Sequence, residues 1–339
     1  MKKLHCAVIG CGRIGCSFDD NDKMIKTHAG SYFKNSKTEL IALCDIDEKK
    51  LKKYGKKYHV SKTYNDAKKL FKNEKLDCIS ICTLADTHLD LVRHAAKNGV
   101  RGIFLEKPMA SSLHDAKEII NICKKYNIIL QIDHQRRFHP IYGQIEKILT
   151  KKEIGEIQLV NVYYGAGVAN TGSHMFDMLR MLFGEIKKID SKFSQNISGN
   201  KNDPNLDITI EFSNTIQCKI HSLSYEKYAV FQIEIFGTEG SLIIDLIKNE
   251  AKQFKISEKS RVYKILVPGK KLQSNFKETA IQKGLKNLVD AINLKKENLS
   301  TGNDGLKALE AIIASMKSAK SNRMIQLPIK NIHYKISSR

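Results

Sequence analysis

A glycine turn set directly against an apolar run narrows this chain more than any other feature. Leu4–Ile9 is apolar, and Gly10-Cys-Gly12-Arg13-Ile14-Gly15 follows it without a spacer. This is the G-x-G-x-x-G spacing that joins a strand to a helix in dinucleotide-binding domains. Gly10 permits the tight turn, Gly12 lets the backbone approach a pyrophosphate, and Gly15 lets the next helix pack on the strand. Backbone N–H groups at that helix N-terminus would then face the phosphates. An isolated match is as easily a simple tight turn, so context decides. Apolar runs at Leu40–Cys44, Cys78–Cys82, Gly102–Leu105 and Ile128–Ile132 alternate with helical patterns. Asp86 can cap a helix carrying Leu89, Val92 and Ala96, and Ser112-x-x-Asp115 forms a capping box ahead of Ile119, Ile120 and Cys123. Such alternation predicts a parallel sheet covered on both faces.

The second strand ends at Cys44-Asp45. An acidic side chain there accepts hydrogen bonds from a ribose diol and repels a 2′-phosphate, which favours NAD over NADP. The alternative is that Asp45 only caps the following helix, a task Asp47 is equally placed to fill. Asp45 lies 30 residues after Gly15, where about 20 is usual. Cys16–Lys26, with Asp19, Asp20 and Asp22, therefore reads as an inserted loop. It either lies over the cofactor or substrate or is a plain solvent loop.

Beyond about residue 150 the texture changes. Asp207–Phe212 and Thr215–Ser222 alternate apolar and polar residues, and Val230–Phe236 and Ser241–Asp245 flank the turn Gly237-Thr-Glu-Gly240. These read as antiparallel strands with one packed face. Two late helices carry Ile281, Leu285, Leu288 and Ile292, then Leu306, Leu309, Ile313 and Met316. A lysine-rich stretch near residues 247–275 reads as a flexible loop. A length of 339 residues suits two domains, divided at residues 130 and 131. The last helices are able to pack back on the first domain.

Lys and Arg exceed Asp and Glu by 57 to 36, a net charge of +21. Only nine of the basic residues are Arg, the residue best suited to forked contacts with phosphate and guanine. The lysines are scattered in pairs along the chain, which reads as solvated helix faces and argues against nucleic acid as a partner. No apolar run approaches the roughly 18 residues that would span a bilayer, and the N-terminal apolar run is too short for a secretory signal. Eight cysteines occur without a Cys-x-x-Cys pair, so no zinc site is expected. Reduced thiols and the missing signal place the chain in the cytoplasm.

Three further segments complete a pattern. Glu106-Lys107-Pro108 follows a strand, Arg136-Arg137-Phe138 follows the sixth strand, and Asn170-Thr-Gly-Ser-His174-Met-Phe-Asp177-Met-Leu-Arg180 opens a helix. With the glycine loop, these make the chain resemble the glucose–fructose oxidoreductase / inositol dehydrogenase family over nearly its whole length. The resemblance implies an α/β fold. Residues 1–130 would form a Rossmann dinucleotide-binding domain. Residues 131–339 would form an α/β substrate and oligomerisation domain with an open, mainly antiparallel sheet, which commonly makes the contacts of a homodimer or homotetramer. It implies hydride transfer between NAD(P) and a carbon of a sugar or polyol, with Thr83 and His88 on a loop that runs along the cofactor. Leu84 stands where that family often has proline.

The chemistry of these side chains is consistent with the resemblance. Oxidising an alcohol needs a base for the proton and a donor for the oxygen. Lys107 suits the oxygen, with Glu106 beside the cofactor. His174 suits the proton, because its unperturbed pKa is near 6.5. Asp177 lies one turn on and can orient the imidazole, and Arg180 can pair with Asp177. The family often carries aspartate where Asn170 stands. Asparagine is no base but can hydrogen-bond a sugar hydroxyl. The Asn-x-Gly-Ser-His form is similar to members of bacterial surface-glycan sugar pathways. Arg136 and Arg137 would hold a substrate anion or form ion pairs, and Tyr164 would bond a sugar or pack in a sheet. Two rival readings share the residues: NAD-dependent glycoside cleavage, and a non-catalytic NAD-binding regulator.

Overall fold

The structure is a computed structural model, described for residues 2–257, 263–273, 277–330 and 332–336. It divides into two compact units, Met1–Phe138 with Phe276–Leu306, and His139–Asn275 with Lys307–Arg339. The first unit thus runs past residue 130 and takes in a segment from near the end of the chain.

In the first unit six strands form one parallel sheet. They are β1 (Leu4–Ile9), β2 (Thr38–Cys44), β3 (Lys62–Tyr64), β4 (Cys78–Ile81), β5 (Gly102–Leu105) and β6 (Ile129–Ile132), in the order β3-β2-β1-β4-β5-β6. The order reverses between β1 and β4, the crevice where ligands bind in such sheets. All four residues of β4 and of β5 are buried, as expected for strands covered on both faces. The helices between them are α1 (His28–Lys34), α2 (Glu48–Tyr58), α3 (Ala67–Asn73), α4 (His88–Lys97) and α5 (Leu113–Lys125). Thr27, Asp47, Asp66 and Ser112 cap α1, α2, α3 and α5 through their side chains. Asp86 does not cap α4. It falls inside a 3₁₀ turn, Ala85–Thr87, and α4 begins after it.

The inserted segment has a definite course. Arg13–Ser17 makes a single π-helical turn, and regular helix resumes only at α1. Between them Asp19 and Asp20 fold the loop onto α2. Lys57 Nζ lies 2.7 Å from Asp19 Oδ1 and 3.0 Å from Asp20 Oδ1, Lys53 Nζ lies 2.6 Å from Asp20 Oδ2, and the Tyr54 hydroxyl donates to Asp20 at 3.0 Å. Asp19 also accepts from the Thr27 hydroxyl at 2.7 Å, which ties the loop to the start of α1.

Helix α8 (Ala280–Leu294) belongs to this unit and opens with a capping box between Thr279 and Gln282. Its Ile281, Leu285, Leu288 and Val289 share one core with Leu4, Cys6, Val8 and Phe104. Gly102 on β5 makes room for it, since a Cβ there would lie 2.3 Å from Ile292 Cδ1.

The second unit holds helices α6 (Pro140–Thr150) and α7 (Asn170–Phe183) and most of α9 (Gly302–Ser321). Its strands are β7 (Ile157–Tyr164), β8 (Ile186–Phe193), β9 (Leu206–Phe212), β10 (Gln217–Ser222), β11 (Phe231–Gly237), β12 (Gly240–Asp245), β13 (Glu250–Ile256), β14 (Leu266–Leu272) and β15 (Ile325–Gln326). They form one sheet in the order β14-β13-β12-β11-β7-β10-β9-β8-β15, antiparallel except where β10 meets β7. Strands β9 and β10 bury alternate residues, the signature of a sheet packed on one face. The lysine-rich stretch is not one loop. It carries β13 and β14, paired from Ala251–Leu272 to Ile256–Leu266, while residues 258–262 and 274–276 lie outside the described ones.

Helix α7 has no side-chain cap of its own, because its N-cap residue is Ala169. Asp203 substitutes from a distant loop, accepting from Ala169 N at 2.7 Å and Asn170 N at 2.9 Å. Gly167 is required here, with φ at +87° and with Asp203 Oδ2 only 2.2 Å from where a Cβ would sit. Asp203→Ala is expected to destabilise the fold by about 1–2 kcal/mol, as loss of an N-cap does. Urea denaturation checks this.

Candidate active site

The glycine loop is built by close approach. Gly10 has φ +95°, and a Cβ on it would strike Cys82 O at 2.6 Å, while a Cβ on Gly15 would strike Gly10 O at 1.9 Å. Gly12 differs. Its φ is −73°, and a Cβ would meet nothing within 4 Å. The protein itself does not need glycine there, and the open space beside it is where a pyrophosphate would lie. The helix expected directly after the loop is reduced to the π turn, and α1 follows only at His28. Arg13 leans over the Phe18 ring at 4.8 Å, and Ile14 packs against the core.

Asp45 does two things at once. Its Oδ2 accepts from Cys11 N at 2.6 Å and its Oδ1 from Asp47 N at 2.9 Å. The carboxylate at the end of β2 is thus fixed against the glycine loop, and capping of α2 is left to Asp47. Open space at Gly12 and a fixed acid at this strand end together fit an adenine dinucleotide.

A buried ionisable cluster lies at the ends of β4, β5 and β6. His28 Nε2 is 3.2 Å from Glu106 Oε1 and 3.4 Å from Asp133 Oδ2, and its Nδ1 is 2.8 Å from Ser80 Oγ. Ser80 donates on to the Tyr32 hydroxyl at 3.1 Å. The other oxygen of Glu106 accepts from Lys107 N at 3.2 Å. Burial and the Asp133 charge push the Glu106 carboxyl up to about 7, against the pull of His28. Burial also raises Asp133, but hydrogen bonds and the charge of His28 win and hold it below its ordinary value. Burial disfavours a charged His28, yet Cys82, Asp133 and Glu106 around it raise its pKa well above the usual range. The donor atoms that His28, Glu106 and Asp133 offer all lie within 4.8 Å of one another and are joined by these hydrogen bonds.

Sequence reasoning missed His28 and Asp133. The signal for Asp133 was available, because it ends an apolar run as Asp45 and Glu106 do. His28 was hidden by the insertion, which separates it from the glycine loop.

Thr83 and His88 divide their work. Thr83 is exposed enough to meet a ligand, and its hydroxyl lies 2.7 Å from that of Thr87. His88 is buried and does not line a site. Its ring nitrogens lie 3.1 Å from Thr83 O and 3.2 Å from Met109 O, so it braces the Thr83 loop from beneath. Burial lowers its pKa, with the two carbonyls opposing. Arg137 is committed to the first unit, with Nη2 3.0 Å from Asp304 Oδ1 and Nη1 3.1 Å from Leu299 O. Of its two readings, the ion pair is the one found. Arg136 is half-buried in the same 3₁₀ turn, Gln135–Phe138.

In the second unit α7 carries Asn170, His174, Asp177 and Arg180. Asn170 and His174 are half-buried, and Asn170 Nδ2 donates to Ala166 O at 3.3 Å. Asp177 is buried inside the helix packing. Arg180 forks onto Glu185, at 3.2 and 2.5 Å, a partner the helical spacing had not indicated. Tyr164 is not a substrate contact. It is fully buried, and its hydroxyl donates to Leu206 O and accepts from Leu206 N, both at 2.8 Å. Tyr163 stacks on His221 and donates to Glu234 at 3.3 Å.

Residues 4–134 match the oxidoreductase family model for an NAD-binding Rossmann fold, and residues 164–327 match the C-terminal alpha/beta domain of the same family. The chain belongs to the glucose–fructose oxidoreductase / inositol dehydrogenase family. It is 25% identical to the uncharacterized oxidoreductase YrbE of Bacillus subtilis over 94% of each chain. It is 24% identical to the myo-inositol 2-dehydrogenase of Thermotoga maritima, over 96% of this chain and 98% of that one. It shares its fold with the WlbA dehydrogenase of Bordetella pertussis, solved with NADH and UDP-GlcNAcA. That match has a TM-score of 0.78 and 18% identity over 97% of this chain and 100% of that one. The family assignment makes this chain an NAD-binding oxidoreductase, in agreement with the parallel sheet, the glycine loop and the acid at the end of β2. None of its eight cysteines is paired in a disulfide. Among the described residues, no helix is long and apolar enough to cross a membrane.

Proposed function

We propose that this protein moves a hydride between NAD and one carbon of a sugar or sugar derivative, with Lys107 and His174 as its catalytic residues. The observation that carries the reading is the placement of Lys107. It follows β5 at the carboxyl edge of the nucleotide-binding sheet, with its backbone held by a buried carboxyl cluster. Gly10, Gly12, Arg13, Ile14 and Gly15 would hold the pyrophosphate, Asp45 the adenosine ribose, and Thr83 the nearby cofactor edge. When bound, NAD supplies the carbon that accepts or returns the hydride.

The chain's own residues do the rest. The Lys107 ammonium holds the substrate oxygen as it gains negative character. A His174 ring nitrogen takes the hydroxyl proton as general base. Asn170 donates to and accepts from a sugar hydroxyl without titrating. Arg136 would hold an anionic substrate group, while Arg137 pairs with Asp304. A cyclitol dehydrogenase among the relatives and a fold neighbour holding UDP-GlcNAcA support a polyol-like substrate. Within that class we favour a nucleotide-activated sugar of surface-glycan synthesis, handled in the cytoplasm by a homodimer or homotetramer.

Native mass spectrometry of the purified protein tests this, followed by NADH formation with myo-inositol and with a UDP-sugar acid. Bound NAD(H), an oligomer and turnover of one of these substrates are expected. Bound NAD with products of bond cleavage and no net NADH would move the reading to glycoside elimination. Failure to bind NAD⁺, NADH or NADPH would overturn the reading.

A further inference from the structure

We propose that His28 is a positioning residue for Lys107: with Asp133 it forms a buried ion pair that clamps the Glu106 carboxyl, and Glu106 in turn fixes the Lys107 backbone. This rests on the reading of Lys107 as a catalytic residue, and it concerns three side chains beneath that lysine rather than the lysine itself.

The geometry carries the inference. His28 Nε2 faces two carboxyl groups, at 3.2 Å and 3.4 Å, and all three side chains are buried. Its Nδ1 lies 2.8 Å from Ser80 Oγ, and because Ser80 donates to Tyr32 we assign Nδ1 as the donor in that contact. A proton is then needed on Nε2 or on a facing carboxyl group, because lone pairs would otherwise oppose one another across the gap. Every element packed on the ring contributes a group: Ser80 and Cys82 from β4 and its end, Glu106 beyond β5, Asp133 beyond β6, and Tyr32 one turn along α1. The Phe104 ring meets the imidazole edge at 4.6 Å and excludes water from that side. Gln135 steadies Asp133 with a hydrogen bond of 3.0 Å. Glu106 spends one oxygen on this cluster and the other on Lys107 N. A change in His28 therefore reaches Lys107 through one side chain.

The test reads Lys107 directly, in the full chain without substrate. Lysines are ¹³C-dimethylated, the Lys107 resonance is assigned with Lys107→Arg, and its titration is followed by NMR. In His28→Gln and Glu106→Gln the Lys107 midpoint is expected to move by about one pH unit, a tenfold change in proton affinity, while the other lysines stay put. A purely structural role would lower the melting temperature and leave that midpoint unchanged, which would overturn the proposal. The parent protein gives a second measurement that needs no variant. The His28 ring nitrogens should show an imidazolium at neutral pH, and a neutral ring with Glu106 ionised would overturn the clamp. Both readouts are independent of turnover. A shifted Lys107 midpoint in a protein inactive on every polyol would keep this inference and sink the functional one. An unshifted midpoint in an active enzyme would do the reverse.

Discussion

Lys107→Ala is expected to lower turnover about 100- to 1,000-fold, the usual cost of removing one donor from a developing oxyanion. His174→Ala is expected to cost about 100- to 10,000-fold, the range for a lost general base. In both variants NADH should still bind, because the glycine loop and Asp45 are untouched. Steady-state turnover combined with NADH fluorescence titration separates the two effects. Full activity in either variant removes that residue from the chemistry. Lost NADH binding in Lys107→Ala would place the lysine on the cofactor instead of the substrate oxygen. The two residues come from different units of the chain and act on the same substrate hydroxyl, so their losses are not expected to add.

Gly15→Ala is expected to be the most damaging single methyl group in the first unit. Its Cβ would sit 1.9 Å from Gly10 O, a backbone atom with no rotamer to escape through. Overpacking of this kind costs about 3 kcal/mol, and relief would have to come from moving the turn itself. Thermal unfolding should therefore show a clear loss, and NADH affinity should fall with it. Gly12→Ala is the control, since its Cβ would meet no protein atom. That variant should fold as the parent does and lose only nucleotide affinity. If Gly12→Ala binds NADH normally, the pyrophosphate lies elsewhere.

Much of the architecture was legible because it rests on local rules. Period and punctuation reveal a strand such as β4 or a capped helix such as α5, and the glycine spacing marks the sheet's reversal point. What failed to show in the sequence depends on partners far along the chain. Tyr164 reads in sequence as either a sugar contact or sheet packing, and only the fold brings Leu206 to its oxygen as donor and acceptor. Arg137 reads in sequence equally as an anion site or an ion pair, and only the fold supplies Asp304 from the late helix. Asp203 has no motif, because the helix it caps lies 33 residues away. His28 is the instructive case. It follows an insertion whose length has no meaning in sequence terms, and its partners Glu106 and Asp133 stand at the ends of two later strands.

Asp45 has a consequence for anyone who would re-tune this scaffold. Nucleotide preference in such folds is commonly treated as a dial set by the acid at the end of the second strand. In this chain that acid also holds the glycine loop by its Cys11 amide and seats the first residues before α2. Exchanging it for a small neutral residue to admit a 2′-phosphate would cut both suspensions at once. With Asp45 as the ribose-binding acid proposed above, preference and preorganisation are welded together, and redesign must begin by supplying a second anchor for the loop.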